Sequence, residues 1–385
     1  MGQANLQLVR SLSREHEVEV IAPVPWFEVL GDWRRGHRPA AGRQDQGVVV
    51  RHPLFVYPPK VLHHRSGGFY EASVSRRFLR SVAEFRPDVI LSVFAYPDGW
   101  AAVRLGRRVG VPVVLKVIGS DVLVATRNPK RRRKVREALC AADGVVAVSQ
   151  DLANNAIRLG ADPGLVRVIY QGIDADLFSP GDRAAARARI GLPADEKIIL
   201  FVGNILHSKG AGVLVEACAH LAGRGLAFRC YLIGQGRDQG RIRGLIARHG
   251  LGDRVTLVGT RRSDQLPDWY RACDVVSLPS YSEGIPNVLR EARACGVPFV
   301  ATRVGGIPEI AEPGSSLLVA PGAPEEVADG LARVLGGGLA PTTDPALHRS
   351  MSWADSADQV VGALHDAIRH RAGLTSRHAA TATPP

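Results

Sequence analysis

The sequence predicts an α/β protein built from two doubly wound domains. From residue 16 onward, short runs rich in Val, Ile and Leu alternate with longer stretches of helical periodicity. Buried parallel strands joined by crossover helices produce this alternation. The alternation of strand-like and helical segments is interrupted at residues 172–182, where Gly172, Pro180 and Gly181 break the periodicity. It begins again after this boundary. With 385 residues, the chain is long enough for two such domains.

The first half opens with a helical pattern, because residues 3–14 carry Leu6, Val9 and Leu12 at helical spacing. Strand-like runs then follow at 16–22, 88–93, 111–117 and 144–148, with helical stretches at 69–85 and 130–141. A domain of this type normally begins with a central strand, and no run before residue 3 can supply it. We therefore expect the N-terminal sheet to lack its first strand, or the true start to lie upstream of Met1.

The second half repeats the pattern, with strand-like runs at 198–202, 228–233, 255–258, 275–278, 297–301 and 316–319. We expect one domain over residues 1–176, completed by a C-terminal crossover helix at 352–370, and a second domain over 177–351. Residues 371–385 are small, polar and end in proline, and they are predicted to be disordered. Residues 27–70 are predicted to form variable loops.

Composition limits the partners and the compartment. The formal charge of +12 favours anionic partners, and no known nucleic-acid-binding motif is found. The five cysteines form no Cys-x-x-Cys pair, which argues against a disulfide framework or a zinc site and predicts a reducing cytoplasm. No apolar run is long enough to span a bilayer, and the start lacks the order of a signal peptide.

The segment 280–301 is the most informative part of the chain. Glu283 precedes Gly284 and Pro286 and so lies on a loop, and residues 287–295 then read as a helix that carries Glu291. The free N–H groups of the first helical turn can bind a phosphate, while nearby carboxylates bind hydroxyl groups. This combination predicts a nucleotide-sugar site. The alternative is an ordinary loop and an acidic helix with a solvent-facing glutamate.

Two further segments after strands point to phosphate binding. Gly203 to Gly210 follows a strand and opens a helix, with Gly203 allowing close backbone approach and Lys209 supplying a positive charge. Gly234 and Gly236 form a glycine turn after the next strand, although this turn lacks the third glycine of the dinucleotide fingerprint. Taken alone, the first segment is better explained as an ordinary strand–loop–helix joint with a surface lysine, and a lone Gly-x-Gly is only a weak indication.

Together, the motifs resemble glycosyltransferase family 4, a retaining group with the GT-B architecture of two Rossmann-like domains facing a cleft. The matching stretches are residues 142–149, 171–174, 203–210, 233–236, 283–292 and 305–309. Residues 22–27 and 284–288 resemble a branch that includes teichuronic-acid-type polysaccharide transferases. The order of these motifs is more specific than any single one.

The resemblance implies roles for individual residues. Glu283 would contact hydroxyls of the donor sugar, Glu291 would hold the ribose, and Lys209 would bind the diphosphate. We expect Glu283, Lys209 and Asp121 to be catalytic. The expected donor-binding residues are Gly203, Asn204, Lys209, Gly234, Gly236, Glu283, Gly284, Ile285, Pro286, Asn287, Val288 and Glu291.

Two positions depart from the family pattern. Asn204 stands where many members have arginine, and Ile118 stands where relatives often have His or Arg. Asp121 is expected to contact acceptor or sugar, with a helix N-cap as the alternative. Asp98 could likewise face the site or cap the next helix.

The predicted function is retaining transfer of a sugar from a nucleoside diphosphate to a glycan or lipid-linked acceptor in cell-surface polysaccharide synthesis. No cofactor or metal is expected, since the resemblance implies metal-independent transfer. The basic run Lys130 to Arg136 is either a solvated face or a docking surface for anionic membrane lipids, which would place the enzyme on the inner face of the plasma membrane. A glycoside hydrolase, a sugar-nucleotide epimerase and an inactive relative that binds nucleotide sugar are the alternatives.

Overall fold

The computed structural model describes residues 3–27, 29, 43–45, 48–58, 65–339 and 352–381. The chain divides into two compact units. The N-terminal unit comprises Met1–Gly172 and Trp353–Pro385, and the C-terminal unit comprises Ile173–Ser352. The observed division thus falls at Gly172, close to the expected boundary at residue 176.

The strands are short and are numbered in chain order. They are β1 (Glu19–Ile21), β2 (Val24–Pro25), β3 (Arg43–Asp45), β4 (Val48–Arg51), β5 (Leu54–Phe55), β6 (Ile90–Val93), β7 (Val113–Val117), β8 (Gly144–Ala147), β9 (Val166–Val168), β10 (Ile198–Val202), β11 (Arg229–Ile233), β12 (Val255–Gly259), β13 (Val275–Leu278), β14 (Phe299–Thr302) and β15 (Ser316–Val319).

The α-helices connect most of these strands. They are α1 (Gln3–Leu12), α2 (Ser66–Phe85), α3 (Trp100–Val109), α4 (Ser120–Leu123), α5 (Pro129–Ala141), α6 (Gln150–Arg158), α7 (Arg183–Ile190), α8 (Ala211–Gly223), α9 (Gln239–Arg248), α10 (Leu266–Ala272), α11 (Asn287–Ala294), α12 (Ile307–Ile310), α13 (Pro324–Leu335) and α14 (Trp353–Thr381).

The N-terminal unit contains a parallel sheet of order β6-β7-β8-β9 and a separate sheet of order β1-β4-β3. In the described part of the chain no strand precedes α1, and β1 and β6 each have one strand neighbour. Ile21 of β1 and Ile90 of β6 both pack against the apolar cluster that contains Val74 and Phe78 of α2. The two sheets are therefore held by a common helix instead of by a strand between them.

The expectation that residues 27–70 form loops needs correction. The described part of this segment contains β3, β4 and β5, with β1 and β4 paired in parallel, so it is more than a set of loops. These strands were missed because two to four residues are too few for a clear alternation. Residues 28, 30–42, 46–47 and 59–64 lie outside the described residues.

Helix α14 packs on the rest of the N-terminal unit from Ser356 to Arg371. Near its start, Ser356 donates a hydrogen bond to the Tyr170 carbonyl at 2.9 Å. Near residue 371, the Arg371 guanidinium reaches Asp143 at 3.1 Å. The helix continues to Thr381 and so includes part of the segment from residue 371 whose disorder stays a prediction. Ala, Leu and Arg are good helix formers, and no proline interrupts the helix before residue 384.

The C-terminal unit contains one parallel sheet of order β12-β11-β10-β13-β14-β15. Strands β10, β11 and β12 follow one another towards one edge of the sheet. The chain then crosses back, and β13, β14 and β15 follow one another from β10 towards the opposite edge. The strand order therefore reverses between β10 and β13, and ligands of such sheets bind at the carboxyl ends of the strands beside this switch point. Strands β10 and β13 are completely buried, and Ser277 is their only polar residue, as expected for strands covered on both faces.

Among the described residues, no helix has both the length and the apolar character needed to cross a membrane.

Candidate functional site

Two predicted site residues meet directly beside the switch point. Lys209 ends a short 3₁₀ turn after β10, and Glu283 lies in the loop after β13. The Lys209 Nζ lies 2.7 Å from Oε1 and 2.8 Å from Oε2 of Glu283. The reversal of strand order thus brings two residues that are far apart in sequence into a bidentate ion pair.

Further hydrogen bonds fix the Glu283 carboxylate. The Ser280 hydroxyl donates to Oε1 at 2.7 Å, and Thr302 donates to the Ser280 carbonyl. Glu283 is only 7% exposed, whereas 29% of the Lys209 side chain is exposed. A carboxylate offers about four acceptor positions. Three are used here, so one remains for a ligand hydroxyl.

The backbone of Glu283 is held as closely as its side chain. Gly305 has a φ of +54°, and a Cβ at this position would lie 1.9 Å from the Glu283 carbonyl oxygen. The Gly306 N–H donates to the Gly284 carbonyl at 2.7 Å. The loop after β14 therefore leaves no room for a side chain at Gly305, and it fixes where Glu283 stands.

Helix α11 begins one residue after Pro286, which has an extended backbone with φ of −77° and ψ of 115°. Pro286 therefore precedes the helix and does not occupy its first turn. No side chain caps this N-terminus. Ile285 and Val288 pack against the apolar core and fix the orientation of the turn. Such a helix start presents backbone N–H groups and the positive end of the dipole to an anion.

Glu291 lies one turn further along α11. The buried Tyr270 hydroxyl donates to its Oε2 at 2.8 Å. Burial raises the pKa of Glu291, while the Tyr270 hydrogen bond and the Arg290 charge partly offset this effect. One carboxylate oxygen is thus fixed by Tyr270, and Oε1 is left to accept a ligand hydroxyl.

Glycine is required after β10 and β11 for different structural reasons. A Cβ at Gly234 would lie 1.9 Å from the Gly203 carbonyl oxygen, and one at Gly236 would lie 2.2 Å from the Ile205 carbonyl oxygen. Both therefore allow the two loops to pack backbone against backbone. Gly203 has a φ of +158°, and a Cβ there would meet only the Phe201 ring, at 3.5 Å. Asn204 beside it is exposed.

Asp121 lies in the N-terminal unit, after β7. Its Oδ2 accepts the Ala95 N–H at 2.9 Å, and its Oδ1 accepts the N–H groups of Gly119 at 3.0 Å and Ile118 at 3.3 Å. It lies inside α4 and so is not the N-cap residue. Burial raises the pKa of Asp121 despite these hydrogen bonds. The carboxylate connects the ends of β6 and β7, and its catalytic role stays a prediction.

Asp98 has a side-chain partner in the same unit. It hydrogen-bonds with the Tyr70 hydroxyl, and burial raises its pKa. Within the described ranges, no group of three or more His, Cys, Asp or Glu residues could hold a metal ion.

Comparison with known proteins identifies the family. The family model "Glycosyltransferase Family 4" matches residues 1–177, and "Glycosyl transferases group 1" matches residues 182–342. The D-inositol 3-phosphate glycosyltransferase of Acidothermus cellulolyticus is 31% identical over 363 residues, covering 86% of this chain and 80% of the relative. The chain belongs to glycosyltransferase family 4. The corresponding Mycobacteroides abscessus protein is 34% identical over 283 residues, covering 70% of this chain and 63% of the relative. The chain thus spans less than two thirds of that relative.

Solved structures agree with the fold of this family 4 chain. Sucrose-phosphate synthase from Thermosynechococcus elongatus matches with a TM-score of 0.74 and 25% identity, covering 99% of this chain and 94% of that one. Anabaena HepE in complex with UDP-glucose matches with a TM-score of 0.66 and 21% identity, covering 99% and 96%. These likenesses confirm the GT-B class of two Rossmann-like domains.

Sequence reasoning missed two residues that complete the site of this family 4 protein. Ser280 holds Glu283, and Tyr270 holds Glu291. The sequence indicated a role for Ser280 only weakly, through its position three residues before Glu283 in a polar loop between a strand and a helix. Tyr270 gave none, since its ring lies in the core beside Phe178 and looks like ordinary packing.

Proposed function

We propose that this chain transfers a sugar, with retention of anomeric configuration, from a nucleoside diphosphate donor to a glycan or lipid-linked acceptor. Family membership and the names of the relatives support glycosyl transfer, and the complex of HepE with UDP-glucose supports a nucleotide-sugar donor. We further propose a role in cell-surface polysaccharide synthesis, within the teichuronic-acid-type branch.

The observation that carries this proposal is the Lys209–Glu283 pair beside the uncapped start of α11. A donor diphosphate placed here would accept hydrogen bonds from the Lys209 ammonium and from the backbone N–H groups of the first turn. The sugar hydroxyls would use the remaining acceptor position of Glu283. Because Lys209 is held by Glu283, its positive charge is positioned before the donor arrives.

The proposed chemical step is the one that membership of family 4 implies. The acceptor oxygen forms a bond to the anomeric carbon as the bond from that carbon to the diphosphate oxygen breaks. The departing diphosphate gains negative charge, which Lys209 and the α11 dipole stabilise, and one of its oxygens takes the acceptor proton. The protein contributes positioning and electrostatic stabilisation, and retention places attack on the face from which the diphosphate leaves.

Glu291 is proposed to hold the ribose. Tyr270 orients the carboxylate through Oε2 and leaves Oε1 as the acceptor for a ribose hydroxyl. The raised pKa of Glu291 shows that its charged form is costly to bury. Perturbed pKa values of this kind are common at binding sites.

The proposal also includes the cellular compartment and a membrane-docking surface. We place the enzyme in the cytoplasm, with α5 docking on the anionic inner surface of the plasma membrane. Arg133 and Lys134 pair with Glu137 in the same helix, whereas Lys130, Arg132 and Arg136 are exposed. The latter three are therefore the basic groups that a membrane would attract.

A donor panel tests the proposal. UDP-, GDP- and ADP-sugars are titrated by calorimetry. Each is then incubated with enzyme, with and without a lipid-diphosphate acceptor, while free nucleotide and sugar products are followed by NMR. We expect one base to bind clearly and its sugar to be transferred with the α or β configuration preserved. Conversion of the donor without an acceptor would indicate an epimerase, and cleavage of glycans without nucleotide would indicate a hydrolase. Binding without any turnover would favour the inactive relative.

A further inference from the structure

A groove runs along one side of α8 in the C-terminal unit. Its first part, at the start of α8, is lined by Gly212 and Glu216 of α8 and by Arg241 of α9. Its second part is lined by Glu216 again, by Gly223 at the end of α8 and by His249 after α9. Because Glu216 lines both parts, they adjoin. From Gly212 to Gly223 the groove follows about 17 Å of helix axis, which is longer than a single sugar ring.

The two parts of this α8 groove differ in size. The first has a volume of ≈ 50 Å³ and the second a volume of ≈ 540 Å³. Pockets that hold small ligands in proteins measure about 300–1,000 Å³. The groove is therefore shallow at the start of α8, and it becomes wide enough for a ligand beyond Glu216.

An aromatic pair is exposed at the shallow end of the groove. The rings of His207 and Tyr281 stack with their centroids 4.8 Å apart and their planes 9° apart, and both residues line the groove. Tyr281 is 38% exposed, and it is the one large apolar side chain that is exposed among the described residues of the C-terminal unit. It does not pack in the apolar core of this unit. Exposed aromatic rings of this kind are typical of binding surfaces.

The same two loops carry this aromatic pair and the Lys209–Glu283 ion pair. His207 precedes Lys209 by two residues, and Tyr281 precedes Glu283 by two residues. The Tyr281 N–H donates a hydrogen bond to the Ser208 carbonyl at 2.9 Å, which joins the two loops. The shallow end of the groove therefore lies beside the proposed donor site, and the wide end lies further along α8.

The walls of the groove carry polar groups that the fold does not use. Arg241 is exposed and Glu216 is half-buried, and neither has a hydrogen bond or an ion pair to another residue in the described part of the chain. A guanidinium group and a carboxylate can each bind two neighbouring hydroxyl groups. A pyranose ring presents such hydroxyls at its rim and an apolar face of C–H groups. A polyanion would be repelled by the Glu216 carboxylate in the middle of the groove.

We propose that the α8 groove binds the oligosaccharide chain of a glycan, with the ring nearest the donor site packed against the His207–Tyr281 pair. The chain then follows α8, and its hydroxyls form hydrogen bonds with Glu216, Arg241 and His249. The proposal rests on the proposed transferase function only for naming this glycan as the acceptor. Binding of the oligosaccharide itself rests on the C-terminal unit alone.

An array of sugars tests whether the groove binds a chain. It carries disaccharides and hexasaccharides with backbones of glucose, galactose, mannose, N-acetylglucosamine or glucuronic acid. We expect wild type to bind at least one backbone. Its hexasaccharide should bind about tenfold more tightly than its disaccharide, because only the longer chain reaches the hydrogen-bonding groups of the wide end.

Arg241→Ala and Arg243→Ala form a matched pair, since both arginines are exposed on α9 and only Arg241 lines the groove. We expect Arg241→Ala to bind the hexasaccharide about tenfold more weakly and Arg243→Ala to bind it as wild type does. Tyr281→Ala should weaken both chain lengths about tenfold, because the aromatic pair contacts the first ring. His249→Ala should weaken only the hexasaccharide.

Three results overturn the proposal. They are no binding of any arrayed sugar by wild type, equal effects of Arg241→Ala and Arg243→Ala, and dimers in sedimentation that Arg241→Ala dissociates, since a second copy would then occupy the groove. Release of nucleoside diphosphate from the donor is followed in the same samples. Turnover without hexasaccharide binding removes the groove and keeps the proposed function, whereas hexasaccharide binding without turnover removes the proposed function and keeps the groove.

Discussion

The Tyr270 hydroxyl donates a 2.8 Å hydrogen bond to Oε2 of Glu291, so a core aromatic residue orients the carboxylate proposed to hold the ribose. The cost of burying Glu291 appears as its raised pKa. The hydrogen bond reduces this cost without removing it. The site therefore keeps a charge that the fold alone would disfavour.

Glu291→Gln is expected to weaken nucleotide binding and to raise the free energy of unfolding at neutral pH. Because the folded-state pKa is raised, the native protein binds more protons than the unfolded chain between the ordinary and the raised value, and wild-type stability falls as pH rises through that window. The variant does not lose stability in this pH window, because glutamine does not titrate. Its stability advantage in urea unfolding should thus be present at neutral pH and vanish below the ordinary pKa of glutamate.

The same variant should bind nucleotide about tenfold or more weakly, since a hydrogen bond to a charged group is lost. Glu325→Gln, at an exposed position in the first turn of α13, is the control and should change neither property. A constant stability difference at all pH values would contradict the assignment of the raised pKa.

Gly305→Ala should displace Glu283. The added Cβ would meet the Glu283 carbonyl oxygen at 1.9 Å, so the loop must move in addition to bearing the strain of positive φ. Gly314→Ala is a matched control, because Gly314 also has a positive φ, +90°, but open space around it. We expect the control to lose about 1–2 kcal/mol of unfolding free energy and retain nucleotide binding. Gly305→Ala should lose more stability and bind at least tenfold more weakly, and equal effects of the two substitutions would contradict the steric argument.

Asp121→Ala is expected to destabilise the N-terminal unit. It leaves the N–H groups of Ala95, Ile118 and Gly119 without their acceptor, at a cost of about 1–3 kcal/mol for each group that stays buried. Thermal unfolding of this variant should be compared with that of Asp88→Ala, an exposed control in the same unit. A variant as stable as wild type would show that these hydrogen bonds do not hold the strand ends together.

Replacing Lys130, Arg132 and Arg136 together by alanine should abolish salt-sensitive binding to vesicles of phosphatidylcholine and phosphatidylglycerol. At about 1 kcal/mol for each basic residue, the loss amounts to roughly a hundredfold. The control removes the exposed charges of Lys197, Arg243 and Arg248 in the C-terminal unit. If both triple variants bind vesicles as wild type does, α5 is only a solvated face.

The sequence predicted the bounds of three strands of the C-terminal sheet, of which β10 and β13 are buried on both faces and β15 is partly exposed. Ile198–Val202, Val275–Leu278 and Ser316–Val319 have the predicted bounds. Continuous apolar runs bounded by turns leave little ambiguity there. The short strands between residues 24 and 55 were not predicted. β4 pairs with β1 and β2 pairs with β5, and no local pattern reveals such pairing between strands that are distant in sequence.

The site was predictable as a set of residues but not as a geometry. The position of Lys209 after β10 and of Glu283 after β13 followed from the motifs. Their direct ion pair depends on the strand order, which the sequence alone does not specify. Tyr270 was missed because a buried tyrosine in a helix resembles a common core position.

The most direct test of the central claim is donor turnover in Glu283→Gln and Lys209→Ala. Release of nucleoside diphosphate is followed with the donor selected from the panel, using Lys197→Ala and Glu325→Gln as controls and circular dichroism to verify folding. We expect both site variants to remain folded and to lose about 10²–10³-fold in kcat, the magnitude typical of removing one transition-state contact. Wild-type turnover in either folded site variant would contradict the assignment of the Lys209–Glu283 pair as the centre of the site.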